Sequence, residues 1–410
     1  MNGEEKLKQF SEIAYQKTLT KVNDRVYHFL GYGHSNCIGI LGDSSWILID
    51  TLDTDTRAMR VYEELKKICD VPVKTIIYTH GHPDHRAGAG AFKEMDPEII
   101  AFTPVRAPLK YYEKINDFLN YRGKLQHGYG QTNEEAICQG IGPREGMSQN
   151  DGVYAILPPT TVYTEEKTCR RIDGIEIEMR RAPGETDDQI FVYLPEWKVI
   201  CTGDNYYGVF PNLYAIRGTQ YRDIAQWIDS LRLILSYDSE ALLPGHTAPL
   251  IGRDLIQKQV GTFADALEAV LFDTLDCMNQ CMGLSETVEH VKLRPEYHDL
   301  SFLGEYYGTV EWAVRSIYNG YVGWFDGNAA YLMPVSEKAF NNKLHELISE
   351  EKLQAEIKSC MAKEDYQMAL QLIEIAEDKS LRNEALMGRA SQMTSANARH
   401  YFIGTAKGIQ

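Results

Sequence analysis

Four side chains able to bind a metal stand within six positions: His80, His82, Asp84 and His85 in the stretch T-H-G-H-P-D-H. Imidazole nitrogen and carboxylate oxygen together suit a borderline-soft divalent ion such as zinc. Alternation along a tight turn can aim His80 and His82 at one ion and Asp84 and His85 at a neighbour. One histidine alone is more often a surface residue or a hydrogen-bonded core residue. Three with an aspartate, directly behind an apolar run, point to a metal site. That run, Thr75 to Tyr78, is β-branched and apolar and reads as a buried strand. Ala87, Gly88, Ala89 and Gly90 follow, small enough for the next helix to start close to the strand end.

The pattern H-x-H-x-D-H resembles the signature of the metallo-β-lactamase superfamily. The resemblance implies an α/β fold, an αββα sandwich with two metals at one edge, and says little about substrate. Three later residues fit the same scheme. Glu185 follows a strand-like run in A-P-G-E-T-D-D-Q, Asp204 ends V-I-C-T-G-D, and His246 follows A-L-L-P-G. Each alone is a weak signal, because charged residues after strands are usually solvated. Their order behind the first cluster raises all three together, since strand ends meet along one sheet edge. In that scheme His80, His82 and Glu185 hold one ion, Asp84, His85 and His246 hold the other, and Asp204 bridges them. Asp84 and Asp204 are the carboxylates expected nearest the chemistry. Each ion keeps a place for a shared hydroxide, whose pKa two metals roughly 3.5–4 Å apart would bring near neutrality.

The elements that must position these residues are legible in outline. Residues 1–20 read as a helical lead-in, and 26–51 as strands broken by Gly and a G-D-S-S turn. Asp50, closing one strand, either orients the ligand loop or simply caps the strand. Residues 55–69 read as an amphipathic helix, while 93–160 are irregular, with a helical Y-Y-E-K-I-N-D-F-L-N-Y and a long glycine-rich loop carrying His127. His127 reads as a surface or packing residue. Strand patterning returns over 161–203, and after about residue 252 helical periodicity takes over. The expected division is a catalytic domain over 1–252 and a helical domain over 253–410, with His290, His298, His345 and His400 in ordinary packing or surface roles.

Composition bounds the function. The chain has 410 residues, 44% of them hydrophobic, and a formal charge of −16, which opposes general affinity for nucleic acid or anionic membrane. It leaves room for an anionic substrate, because two local cations outweigh a diffuse negative surface. The start M-N-G-E-E-K-L-K-Q-F shows no signal-peptide core, and no apolar run approaches the span of a bilayer. Eight cysteines lie scattered without a framework, so reduced thiols and a cytoplasmic protein are expected; Cys277 and Cys281, one helical turn apart, read as buried packing.

Most members of the superfamily have histidine where this chain has Glu185. Glutamate there, nineteen residues before Asp204, resembles the class III alkylsulfatases. N-L-Y-A-I-R-G-T-Q-Y-R-D (212–223), E-Y-Y-G-T (305–309), Y-V-G-W-F-D-G-N (321–328) and E-D-Y-Q-M-A-L-Q-L-I-E-I-A-E-D (364–378) agree, and the resemblance covers roughly residues 22–410. It implies that Asn212, Arg217 and Arg222 match the sulfate pocket, that Tyr307 reaches in from the helical domain, and that this domain makes a homodimer. Arginine's planar fork suits a sulfate oxyanion. Three departures qualify the match. The bridging residue is Asp204 rather than the usual Glu. The segment before N-L-Y reads Y-Y-G-V-F-P and lacks the histidines thought to supply a proton, leaving Tyr206 or Tyr207 as substitutes. The apolar sterol-carrier-like domain that the family carries at its C-terminus is absent from the sequence, which turns the expectation away from long-chain detergents.

The expected activity is therefore hydrolysis of a small or moderately sized sulfate ester by a binuclear metal site, with a bridging hydroxide as nucleophile or base. Other readings share the metals: hydrolysis of a lactone, thioester or phosphoester, a non-catalytic binding protein on the same fold, or di-iron redox chemistry. Two arginines in the pocket distinguish sulfate from a lactone.

Overall fold

The computed structural model describes residues 1–409, which form two sheets packed face to face between helical layers. The first sheet holds β1 (Thr18–Lys21), β2 (Val26–Leu30), β3 (Cys37–Leu41), β4 (Trp46–Ile49), β5 (Val73–Ile77), β6 (Glu98–Phe102) and β7 (Thr161–Tyr163), in that spatial order. The second runs in reverse, from β13 (Leu250–Ile251) through β12 (Ala241–Pro244), β11 (Val199–Gly203), β10 (Ile190–Leu194) and β9 (Ile175–Arg181) to β8 (Lys167–Ile172). β1 to β4 are antiparallel, β4 to β7 parallel; in the second sheet only β11 and β12 are parallel.

The central strands are apolar on both faces because both faces are covered. Ile38, Ile40, Ile47, Ile49 and Ile77 point inward and meet Ile177, Met179, Ile190, Val192 and Leu243 of the other sheet. Their neighbours point outward: Leu48 and Ile76 pack on Ala58, Val61 and Leu65 of the helix Asp55–Ile68. Ile200 and Leu242 pack on Trp227 and Leu231 of the helix Ile224–Leu235. That period of two within each strand is the αββα sandwich.

The helix Arg253–Asn279 adds to the second outer layer rather than standing apart. Val260, Phe263 and Leu267 share one buried cluster with Trp227 and with Ala313 and Ile317 of the helix Val310–Val322. Hydrophobic packing is thus continuous across residue 252, where the sequence changes character. A smaller separate cluster, including Ile357, Ala369, Ile373 and Ala385, holds the later helices together. The last helix, Ala396–Ala406, returns to the body. The backbone N–H of Ala396 donates to the Tyr306 carbonyl at 2.8 Å, and the His400 ring nitrogens each lie 2.8 Å from a carbonyl, of Gln126 and Ala136. Cys277 is buried in the second outer layer, whereas Cys281, expected to pack with it, is exposed beyond the helix end. Among the described residues no helix is long and apolar enough to cross a membrane.

The lead-in is the helix Gly3–Ala14 followed by β1, and the helical reading near 112–121 resolves into a short 3₁₀ turn, Tyr112–Ile115, and the helix Asn116–Gln126. Behind the ligand turn, Gly88 lies against backbone: a methyl there would meet the carbonyl oxygens of Thr51 and Thr54. Neither can swing aside as a side chain would. Gly88→Ala is expected to lower stability by about 1–3 kcal/mol, read from the denaturant midpoint.

Candidate active site

Every ligand named from the sequence hangs from the same edge of the sandwich. β4 and β5 are parallel, as are β11 and β12, so their C-terminal ends coincide; Ile49 lies opposite Ile77, and Gly203 opposite Pro244. β9 is two antiparallel steps from β11 and ends there as well. Asp50, the His80–His85 turn, Glu185, Asp204 and His246 each follow one of these ends. Gly245 permits the closeness, since a methyl on it would meet Asp204 Oδ1.

Hydrogen bonds fix which imidazole nitrogen faces the centre. Asp50 Oδ1 accepts from the Thr79 backbone N–H at 2.8 Å, and Oδ2 accepts from Thr79 Oγ1 and lies 2.7 Å from His85 Nδ1. Asp50 therefore both caps the strand and orients the turn. Since a carboxylate only accepts, His85 Nδ1 carries the proton. Thr79 Oγ1 has given its hydrogen to Asp50 and so accepts from His80 Nδ1, 3.1 Å away. His246 Nδ1 donates to the His34 carbonyl at 3.0 Å. In all three rings Nδ1 is held by an outer partner and Nε2 is the nitrogen directed inward, the arrangement that metal ligation needs.

The spacing of the inward atoms supports the same use. An ion with bonds of about 2.1 Å to four ligands sets neighbouring ligand atoms about 3.4 Å apart. His85 Nε2 and His246 Nε2 are 3.3 Å apart, and Asp84 Oδ2 lies 3.5 and 3.4 Å from them. Asp204 lies 3.2 Å from His85 Nε2, 3.5 Å from His246 Nε2 and 3.7 Å from His80 Nε2. Ligand atoms of His80, His82, Glu185 and Asp204 all fall within 4.8 Å of one another, as do those of His85, Asp204 and His246. Asp204 belongs to both groups. His80 Nε2, Glu185 Oε2 and Asp204 Oδ1 are buried with no hydrogen-bond partner. Seven donors of the right chemistry thus converge on two adjoining places, and the residues fit a pair of divalent ions.

Burial and mutual charge perturb the group strongly. Burial, reinforced by His85, lowers the pKa of His80 to about 3. Burial also opposes charge on His246, but Asp204 and Asp84 outweigh it and hold its pKa up at about 9. Burial raises Glu185 to about 8 against the lowering influence of Arg222.

A cavity of about 1200 Å³ opens onto the ligands and is lined by His82, Asp84, Glu185, Asp204, Arg217, Arg222 and Tyr307 among others. Arg222 is buried and donates through Nη1 to Glu185 Oε1 and to the Asn212 carbonyl, while its Nε and Nη2 have no partner. Arg217 Nη2 stands 3.2 Å from His82 Nε2. The Asn212 side chain is fully buried with both amide atoms unpartnered, and its backbone N–H donates to Tyr207 Oη at 2.8 Å. The Tyr307 ring packs edge-on to Tyr207, centroids 6.1 Å apart. Tyr206 points away, its hydroxyl accepting from Gln259 and its ring against Phe263, so Tyr207 alone of that pair lies beside the site.

The structure also brings in residues the sequence left aside. His34, in the G-Y-G-H-S-N turn after β2, lies beside the second group, with Nδ1 3.6 Å from both Asp84 Oδ2 and Glu145 Oε1. Glu145 is buried; burial raises its pKa, but His127 and His34 overcome this and bring it to about 2. His127, read as packing or surface, lines the cavity with Nδ1 3.0 Å from Glu145. Strand direction brings His34 there: β2 runs as β4 does, so its end meets the same edge.

Residues 30–246 match the metallo-beta-lactamase superfamily, and residues 284–410 match the alkyl sulfatase dimerisation family. A linear primary-alkylsulfatase of Pseudomonas sp. is 28% identical over 386 residues, 89% of this chain and 72% of its own length. An alkyl/aryl-sulfatase of Saccharomyces cerevisiae is 28% identical over 340 residues, 79% of this chain and 52% of its own. An (R)-specific secondary-alkylsulfatase of Pseudomonas sp. is 27% identical, with 86% of this chain and 55% of its own covered. The chain therefore spans about half the length of the last two. The structure of a stereoselective inverting sec-alkylsulfatase from Pseudomonas sp. superposes with a TM-score of 0.86 at 23% identity, covering 100% of this chain and 68% of the other. The chain belongs to the metallo-beta-lactamase superfamily and is homologous to alkylsulfatases.

Proposed function

We propose that this member of the metallo-beta-lactamase superfamily is a binuclear, zinc-dependent hydrolase of a sulfate ester. The observation that carries the reading is one cavity wall bearing two ligand groups joined at Asp204 and, against them, the guanidinium groups of Arg217 and Arg222. His80, His82 and Glu185 hold the first ion, Asp84, His85 and His246 the second, and Asp204 both. When bound, the ions supply a water of lowered pKa and offset charge developing on the ester.

The remaining work falls to side chains. A sulfate monoester keeps its negative charge throughout, and Arg222 offers two free guanidinium nitrogens beside Glu185. Arg217 shares His82 Nε2 with no other donor; once that lone pair is committed to an ion, the guanidinium is released toward the cavity. Asn212 adds an unpartnered amide and Tyr307 a hydroxyl-bearing ring from the helical half. Fixed donors aimed at a charged group in a site shielded from water cost no reorganisation during reaction. A lactone or thioester carries no charge to engage Arg217 or the two unpartnered nitrogens of Arg222. Arg217→Ala is expected to raise KM for a sulfate ester about 10- to 100-fold, the worth of a hydrogen bond between charged groups. Unchanged KM would remove Arg217 from the binding role.

The helical half is proposed to begin in sequence near residue 252, its first helix packed on the second sheet, and to pair two copies. Trp324, Met333 and Leu347 are 70%, 90% and 73% exposed within the segment that matches the dimerisation family. Covering such side chains is what a second copy would do. The eight cysteines are all free thiols, which accords with a reducing, cytoplasmic location.

A further inference from the structure

We propose that His34 is an additional ligand of the second ion, joining Asp84, His85, His246 and Asp204. This rests on the binuclear reading above and adds a residue to it. His34 is 3% exposed, and neither ring nitrogen has a hydrogen-bond partner. A buried imidazole without partners needs an explanation. Its Nδ1 stands 3.6 Å from Asp84 Oδ2, too far for a hydrogen bond but close to the 3.3–3.5 Å that separates Asp84, His85 and His246 from one another. One ligand atom from each of His34, Asp84 and His246 lies within 4.8 Å of the others.

The competing use of the ring is a bond to Glu145, also 3.6 Å away. Glu145 is held by other groups: Oε2 accepts from the Tyr129 and Tyr154 hydroxyls at 3.2 Å each, and Oε1 lies 3.0 Å from His127 Nδ1, a closer charge contact than His34 offers, though not of hydrogen-bond geometry. Backbone bonds hold His34 in place from both sides. Its N–H donates to Asp53 Oδ1 at 3.2 Å and its carbonyl accepts from His246 Nδ1. The next residue, Ser35, donates through Oγ to the Asp84 carbonyl at 2.6 Å. One turn therefore fixes His34, His246 and Asp84 relative to each other, which is what ligands of a single ion require. Five side chains would then fill the second ion's positions, and the open position would belong to the first, beside Arg217 and Arg222.

The test uses the full chain, stripped of metal and loaded with Co²⁺. Coordinated imidazoles give hyperfine-shifted, exchangeable N–H proton resonances. The parent is expected to show five, from His34, His80, His82, His85 and His246, and His34→Leu four. In a parallel titration the second Co²⁺ should bind at least about tenfold more weakly to His34→Leu, with the first unchanged. Four resonances from a parent holding two ions would overturn the His34 assignment and leave the hydrolase reading standing. A parent that takes up fewer than two ions would overturn both. The parent's resonance count decides the matter even if the leucine variant folds poorly.

Discussion

Asp204→Ala is expected to strip both ions and to cut sulfate ester hydrolysis at least about 10³-fold, because several kcal/mol of charge stabilisation leave with the metals. Asp204 is the one carboxylate common to both ligand groups, and three imidazole nitrogens lie within 3.2–3.7 Å of it. It is 2% exposed, at the end of β11, and the neighbouring glycine is packed against its Oδ1. Among the described residues no other carboxylate belongs to both of these groups. Metal content and turnover should fall together, where loss of Glu185 alone would weaken chiefly the first ion. The same crowding gives the aspartate its meaning: the spacing is already that of ligands on a common ion, so a longer carboxylate has no gap to fill. Two ions retained after Asp204→Ala would show that the bridging position is wrong.

Arg222→Ala carries the second large effect, and it should appear before any substrate is added. Arg222 and Glu185 form a buried pair with side chains 3% and 2% exposed, and Arg222 also ties Glu185 to the Asn212 carbonyl. Above about pH 8, where Glu185 is ionised, removing the cation leaves a carboxylate inside the protein without its partner, a change that costs about 3–5 kcal/mol. Metal-free protein is the right sample, since an ion at Glu185 Oε2 would compensate the loss. Denaturant unfolding should show the destabilisation, and a difference below about 1 kcal/mol would mean that Glu185 finds another partner. In metal-loaded protein the same substitution should raise KM, for the guanidinium also faces the cavity.

The two effects rest on residues of unequal legibility. His80, His82, Asp84 and His85 were visible because four possible ligands follow one apolar run, and Glu185, Asp204 and His246 because each follows another. Their convergence comes from parallel pairing of β4 with β5 and of β11 with β12, which places distant strand ends on one edge. His34 gave no such signal. It is a lone histidine in a glycine-rich turn, and its place depends on β2 running in the same direction as β4 two strands away. Asp50 could be read two ways, and the structure shows it serving both, since one carboxylate has oxygens for the Thr79 backbone and for His85. Tyr206 and Tyr207 are adjacent and chemically identical in sequence; only the packing of Phe263 and Gln259 turns one away from the cavity. The helix Arg253–Asn279 looks like the start of a helical domain by periodicity, yet Phe263 and Leu267 complete the layer over the second sheet. Periodicity reports that a helix has an apolar face, not which surface that face will meet.

The most direct test is release of free sulfate from a panel of esters, short alkyl, dodecyl and aryl, by metal-loaded protein beside His82→Ala. Release by the parent and near-complete loss in the variant are expected, because His82 belongs to the first ligand group and neighbours Arg217. No sulfate from any ester, from protein shown to hold two ions, would contradict the proposed function and turn attention to lactones and phosphoesters.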